Sequence, residues 1–360
     1  MVLSKLFENM HHVVEKYDFT QEQKNILLGY CKTFEKNEKL IQLAQKYYHM
    51  IFEDEEEIDV NSLKENDNIE QGMLFAVIYL ARLDLLEAEL EKRGIPSKYA
   101  QSALWHYKDL FQRNFNCYGT FGFCGMYRSG MIQYIKPRTF RIGRLCFEMN
   151  SFSGPYTVYQ NKKTGEEIPI LNEGLYYLPD GKQAPKDYNG ECFITTFSDE
   201  GDIKGYSVDE EGKLNFTPQS LKKEEYKKVL AKNDAVISVH IPGNEKMTPE
   251  SVEESFKEAK KFFETYYKEK DFKAFVCSSW LLDTGLKRFL KPESNILAFQ
   301  KNFRIVLSFV NTFALYWNIF GVEKFICYSE LVPQNSFQQK ILDFVKSGEH
   351  LYSGNGFIMI

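Results

Sequence analysis

No two cysteines stand at C-x-x-C spacing in this sequence, and the seven present (Cys31, Cys117, Cys124, Cys146, Cys192, Cys277 and Cys327) are scattered and odd in number. Zinc ribbons and disulfide frameworks are therefore disfavoured, and free thiols in a reducing cytosol are the expected state. No long Lys/Arg run occurs, and the formal net charge is −5. Binding to nucleic acid or an anionic membrane needs a concentrated positive face, so neither is expected as the main partner. The segment MVLSKLFENMHHVVEKYDF carries charges and His where a signal peptide needs an apolar core. Long apolar runs are also missing: the best stretch, Phe303 to Val322, contains Arg304, Asn311 and Asn318. Lipid would penalise those groups heavily, so the stretch reads as buried core and the protein as soluble and cytoplasmic. No P-loop, no G-x-G-x-x-G and no G-x-S-x-G elbow appears. The acidic run Glu53 to Glu57 lacks spaced His or Cys, so it reads as a solvated helix end or loop, and no metal site is expected.

Aromatic residues, by contrast, are plentiful, with 30 Phe and 22 Tyr among 360 residues. Such a supply fills large cores, and the length favours two domains. Residues 1 to about 117 read as helices. Apolar positions recur at helical spacing through Ile26, Leu27, Tyr30, Leu40, Leu43, Ala44 and Tyr47. The strongest helix spans Ile69 to Arg93, with Met73, Val77, Leu80, Leu83 and Leu86 in one stripe, Gly94 as its stop and Pro96 beyond. Ser97 is expected to cap the next helix, to about Asn114. His49 and His106 stand alone and read as structural. From Tyr118 to Gly130, glycines interleave with Phe121, Phe123 and Tyr127, which reads as a linker or hinge, with a binding loop as the alternative.

Beyond Arg138 the period becomes two. Thr139 to Met149 reads as a strand, and residues 138–230 as short strands with turns at Gly165, Gly181, Gly201 and Gly212. Then comes a strand, Ala235 to Ile241, a turn at Pro242-Gly243-Asn244, and a helix capped by Thr248 with Pro249 at its first position. A strand at Lys273 to Ser278, a short helix at Leu281 to Leu290, a helix at Phe337 to Lys346 and a Gly354-Asn355-Gly356 turn before a last strand complete the pattern. The fold class expected is α+β: a helical N-terminal domain, 1–130, and a mixed α/β domain, 131–360. The strands at Ala235 and Lys273 should be parallel neighbours joined by the Thr248 helix.

Four segments carry a resemblance: FRIGRLCFE (Phe140 to Glu148), SVHIPGNEKMTPESVEESF (Ser238 to Phe256), CSSWLLD with SNILAFQKNF (Cys277 to Asp283, Ser294 to Phe303), and SFQQKILDFVKSG (Ser336 to Gly348). Together they resemble bacterial two-domain acyltransferases, which have a helical N-terminal domain and a GNAT-like C-terminal domain. The resemblance implies acyl-CoA as co-substrate and an N-acyltransferase acting on a small amine or peptide. It also implies a splay between the Ser238 and Ala274 strands that takes the pantetheine arm. Two departures stand out: Ser278 occupies the place of a His expected in the family, and the phosphate loop is PGNEKM, with one Gly rather than a Gly-rich run.

The residues themselves suggest where such chemistry would sit. Gly243, Asn244, Lys246 and Thr248 flank a helix N-terminus, where N–H groups and the helix dipole favour an anion, although Glu245 and Glu250 oppose it. His240 shares a strand face with Ser238 and is the candidate base, since histidine titrates near neutrality; a hydrogen-bonded structural His is the bland alternative. Ser278 is a candidate donor to a carbonyl, or else a strand-end turn residue. Glu148 is a second candidate base, with an ion pair to Arg144 as its structural reading. Cys277, inside an apolar strand, reads as buried and inert. A non-catalytic GNAT-like module that binds a small molecule or docks a partner is the alternative function, and the oligomeric state is left open.

Overall fold

The computed structural model describes residues 10–34, 36–49, 69–123, 125–243, 245–322 and 327–360. The acidic run Glu53 to Glu57 lies outside them. The chain forms two compact units, Met1–Ile142 and Gly143–Ile360.

The first unit is helical. It contains α1 (residues 10–16), α2 (Gln21–Phe34), α3 (Glu38–Tyr48), α4 (Ile69–Lys92), α5 (Gln101–Tyr118) and α6 (Gly125–Ile135), followed by the short strand β1 (Thr139–Ile142). Asn37 starts α3 by accepting the Leu40 N–H at 3.3 Å. Through its middle, α4 is buried on every side, from Met73 to Ala81, so the predicted single stripe understates it. It ends as predicted: Gly94 takes φ +71° and the Ile95 N–H returns to the Leu90 carbonyl at 2.9 Å.

Two expectations fail here. Ser97 lies within a 3₁₀ turn and caps nothing with its side chain; α5 starts later and runs further, to Tyr118. Within the glycine–aromatic segment, residues 121–123 are core rather than linker, while Tyr118 and Gly119 are exposed. Phe121 and Phe123 are buried, with Phe121 stacked on Phe111 at 4.8 Å and Phe123 edge-on to Tyr107 at 4.9 Å. A Cβ on Gly72 of α4 would lie 2.8 Å from the Phe123 carbonyl oxygen, so glycine here permits helix–loop contact at backbone distance.

In the second unit five strands of one sheet follow the order β2 (Leu145–Ser151), β10 (Ala235–His240), β11 (Ala274–Ser279), β13 (Tyr352–Met359), β12 (Arg304–Val310). As expected, β10 and β11 are parallel and joined by α7 (Pro249–Tyr266). The predicted strand from Thr139 to Met149 is broken at Gly143, which takes φ +60°, so its second half is a separate strand. Gly354-Asn355-Gly356 is no turn either. It lies inside β13, where Cβ atoms on Gly354 and Gly356 would sit within 3 Å of Leu282 and Phe303, so the glycines admit neighbours rather than bend the chain.

Alternation along the strands builds a core on each sheet face. On one face Phe147 and Phe275 meet Phe256 of α7, with ring centroids 5.9 and 5.2 Å apart. On the other, Val236, Ala274, Val306 and Phe357 join a cluster with Tyr156, Val158 and Leu230 from the β-rich segment. That segment holds the sheet β4 (Glu167–Leu171), β3 (Tyr156–Asn161), β9 (Tyr226–Leu230) and two small ladders, β5 (Tyr176–Tyr177) with β6 (Phe193–Ile194) and β7 (Ile203–Gly205) with β8 (Gln219–Leu221). Its predicted turn glycines 165, 181, 201 and 212 all have positive φ.

Past β11, two 3₁₀ turns, Trp280–Leu282 and Thr284–Arg288, stand where one short helix was expected. Asp283 separates them. Its buried carboxylate accepts the Gly285 N–H at 2.8 Å and the Tyr352 N–H at 2.9 Å, tying this segment to β13. The Leu307 N–H of β12 donates to the Gly212 carbonyl at 2.8 Å. Beside that turn, Glu211 pairs with Lys213 at 2.8 Å and with Lys287. The helices α8 (Asn295–Gln300), α9 (Thr312–Ala314) and α10 (Ser336–Lys346) complete the unit.

Candidate functional site

Neighbouring strands make a gap at the C-terminal ends of β10 and β11. β10 follows β2 from Ala235↔Ser151 to His240↔Cys146, and β11 follows β13 from Ala274↔Met359 to Ser279↔Gly354. Between β10 and β11 themselves, only Ile237↔Phe275 and Ser238↔Val276 pair. Beyond Ser238 each strand stays with its outer neighbour and the ladder between them ends.

Register decides what faces this gap. Ser238 pairs with Val276, so His240 and Ser278, two residues on, project on the same face at the same level. Glu148 is opposite Ser238 on β2, and its Oε2 lies 2.7 Å from His240 Nε2. A carboxylate only accepts, so His240 donates through Nε2. The His240 side chain is 52% exposed and that of Glu148 19%. Ser278 is exposed too, and Asn355 of β13 is opposite it in register. The structure thus brings three of the sequence candidates, His240, Glu148 and Ser278, onto one face. Within β11, Cys277 points to the other face; burial pushes its thiol up to about 12, so it stays protonated at neutral pH.

The expected Arg144–Glu148 pair is replaced by the His240–Glu148 one. Arg144 has other partners: its guanidinium donates to the carbonyls of Pro242 at 2.7 Å, Glu245 at 2.9 Å and Lys246 at 3.1 Å. It leaves the strand early, in the turn at Gly143, and so reaches under the loop instead of along β2. Reading by strand parity gave this residue the wrong partner; the glycine before it was the available signal of a turn.

Thr248 caps α7 as expected, its hydroxyl accepting the Ser251 N–H at 3.3 Å. The helix start is consequently more occupied than its dipole suggests. Pro249 has no N–H, and the Val252 N–H goes to the Thr248 carbonyl at 3.1 Å. The Glu250 carboxyl is lowered first by a hydrogen bond from its own backbone N–H and then by one from the Thr248 side chain. Gly243 is exposed and has open space around its Cβ position, and Lys246 is exposed. Asn244 lies outside the described residues. Among the described residues no group of three or more His, Cys, Asp or Glu is arranged to hold a metal ion, and no helix is long and apolar enough to cross a membrane.

Solved structures share this architecture. An acyltransferase variant in complex with octanoyl-CoA superposes with a TM-score of 0.65 at 15% identity, over 98% of this chain and 88% of that one. An acyltransferase in complex with decanoyl-CoA gives 0.62 at 14% identity, over 98% and 88%. One in complex with decanoyl-CoA and teicoplanin gives 0.56 at 15%, over 99% and 86%. At these identities the likeness establishes the fold. No curated protein matches the sequence. The model of an N-acyltransferase N-terminal domain matches residues 8–130, and that of a GNAT-like C-terminal domain matches residues 139–358. With well over half of its length under the second, this chain belongs to the family of GNAT-like C-terminal domain proteins, here preceded by an N-acyltransferase N-terminal domain.

Proposed function

We propose that the protein transfers an acyl group from acyl-CoA to the amine of a small molecule or peptide. The observation that carries this reading is the divergence of β10 and β11 with His240, Glu148 and Ser278 on one face beside it. The ligands of the similar acyltransferases, octanoyl-CoA and decanoyl-CoA, support acyl-CoA as the donor.

In this reading the pantetheine arm lies in the gap and presents the thioester to the His240 face. The neutral amine attacks the thioester carbon, and its proton passes to His240 Nδ1. Glu148, bonded to Nε2, fixes the ring and favours the imidazolium that forms. The Ser278 hydroxyl donates to the carbonyl oxygen as negative charge builds there. The carbon–sulfur bond then breaks, leaving the amide and the CoA thiolate, which recovers the proton.

His240→Ala should lower kcat by ~10²–10⁴-fold, as for a positioned acid–base group, with little change in CoA affinity. Unchanged turnover would remove His240 from the mechanism. The acidic residues at the loop, with Glu250 held at the start of α7, favour a second reading: a module that binds a small molecule without chemistry. Calorimetry separates the two. If acyl-CoAs fail to bind at millimolar concentration, the enzyme reading falls and the binding module replaces it.

A further inference from the structure

We infer that Arg144 is a positioning residue that turns three backbone N–H groups of the loop after β10 outward, as a cradle for the diphosphate of the donor. The inference rests on the acyl-CoA reading above. Arg144 is buried, at 7% exposure, and its guanidinium collects the Pro242, Glu245 and Lys246 carbonyls. No peptide bond in the described chain is cis. In a trans peptide the C=O and the following N–H point in opposite directions. The Gly243, Lys246 and Met247 N–H groups, which share peptides with those carbonyls, therefore point away from Arg144. None of the three donates to a protein acceptor among the described residues. Gly243 and Lys246 are exposed, whereas Met247 is buried at 8% exposure, so the first two amides are the more open to a ligand among the described residues.

The anchoring of Arg144 is itself rigid. Its backbone N–H donates to Ser255 Oγ at 2.8 Å, and that hydroxyl donates to the Ser251 carbonyl at 2.6 Å, one turn into α7. A Cβ at residue 143 would lie 2.5 Å from Ser255 Oγ, so Gly143 lets the turn press against the helix. Arginine suits the task because its planar fork addresses several carbonyls at once, whereas lysine offers a single point charge. The buried cation also stands behind the outward amides. A loop with one glycine can in this way present the concave row of N–H groups that a Gly-rich loop presents by backbone freedom alone.

The test compares CoA with pantetheine, which keeps the thiol arm and lacks the diphosphate. By calorimetry, Arg144→Lys should weaken CoA binding by roughly tenfold or more, the effect of a lost hydrogen bond to a charged group, and leave pantetheine binding unchanged. CoA binding at the wild-type level in a folded Arg144→Lys, or an equal loss for both ligands, overturns the inference. Should that variant fail to fold, the wild-type protein decides. The amide resonances of Gly243, Lys246 and Met247 should shift on adding CoA and stay in place with pantetheine; unshifted resonances overturn it. A wild-type protein that binds CoA through these amides and transfers no acyl group refutes the enzyme reading alone. A wild-type enzyme that transfers acyl groups with these amides unmoved refutes the cradle alone.

Discussion

Replacing Asp283 with alanine removes one carboxylate and strands two backbone donors. The Gly285 N–H, 2.8 Å away, and the Tyr352 N–H, 2.9 Å away, both lose their acceptor, and the residue is only 5% exposed, so water has little room to substitute. A buried donor left unsatisfied costs roughly 1–3 kcal/mol. Gly285 lies at the less buried end, so the lower half of that range applies there, and the sum is about 3 kcal/mol. For a unit the size of Gly143–Ile360, 1 kcal/mol shifts the melting temperature by about 2–4 °C, which gives a drop of about 6–12 °C. Asp283→Asn should fall between wild type and alanine, because its amide keeps one acceptor oxygen and sets an NH₂ against the other N–H. Thermal unfolding by calorimetry measures the drop, and hydrogen exchange at the Tyr352 amide locates it. An Asp283→Ala protein that melts within about a degree of wild type, with that amide still protected, refutes the reasoning.

Gly354→Val should destabilise the second unit by about 3 kcal/mol, since its Cβ would lie 2.6 Å from the Leu282 carbonyl oxygen and overpacked cores lose stability on this scale. Gly243→Val, with nothing within 4 Å of its Cβ, is the control that should melt like wild type in chemical denaturation. Glu211 gives a pH signature: hydrogen bonds from Lys213 and then Lys287 hold its carboxyl down to about 2 from an ordinary 4.5. A depressed folded-state value means that the contribution is present above about 4.5 and is lost as pH falls towards 2. It is small, because the side chain is 38% exposed and screened. Glu211→Gln should therefore flatten melting temperature against pH across that window, and an unchanged slope would show that the pair contributes nothing.

Local signals in the sequence carried much of this fold. Gly94, Thr248 and the β-rich turn glycines act through their own φ angles or side chains, so short-range chemistry announces them. The parallel pairing of β10 and β11 followed from a strand–helix–strand of suitable length. What failed was glycine whose reason lies in another element. Gly122, Gly354 and Gly356 read as linker and turn, yet they serve contacts with Gly72, Leu282 and Phe303 far along the chain. At the site, alternation put His240 and Ser238 on one face, but nothing in the spacing says that Glu148 is the acid within reach. That depends on the register of β2 against β10, which is set by the whole sheet. The true partners of Arg144 were hidden for the same reason, since they lie about a hundred residues away.

β13 is made after every other strand, yet it lies between β11 and β12. During synthesis β11 and β12 emerge with no partner on their facing edges, and no earlier strand can join them in the native order. The sheet therefore assembles in two stages: β2, β10 and β11 can pair as they appear, whereas β12 waits for residues 352–359. Until then its apolar face and its open edge are exposed together, the combination that invites pairing with another chain. The Gly212 carbonyl, bound to Leu307 N–H, covers the outer edge of β12, the one away from β13, in the finished fold. The native sheet is accordingly completed by placing its last-made strand between two others, a non-local pairing on both edges.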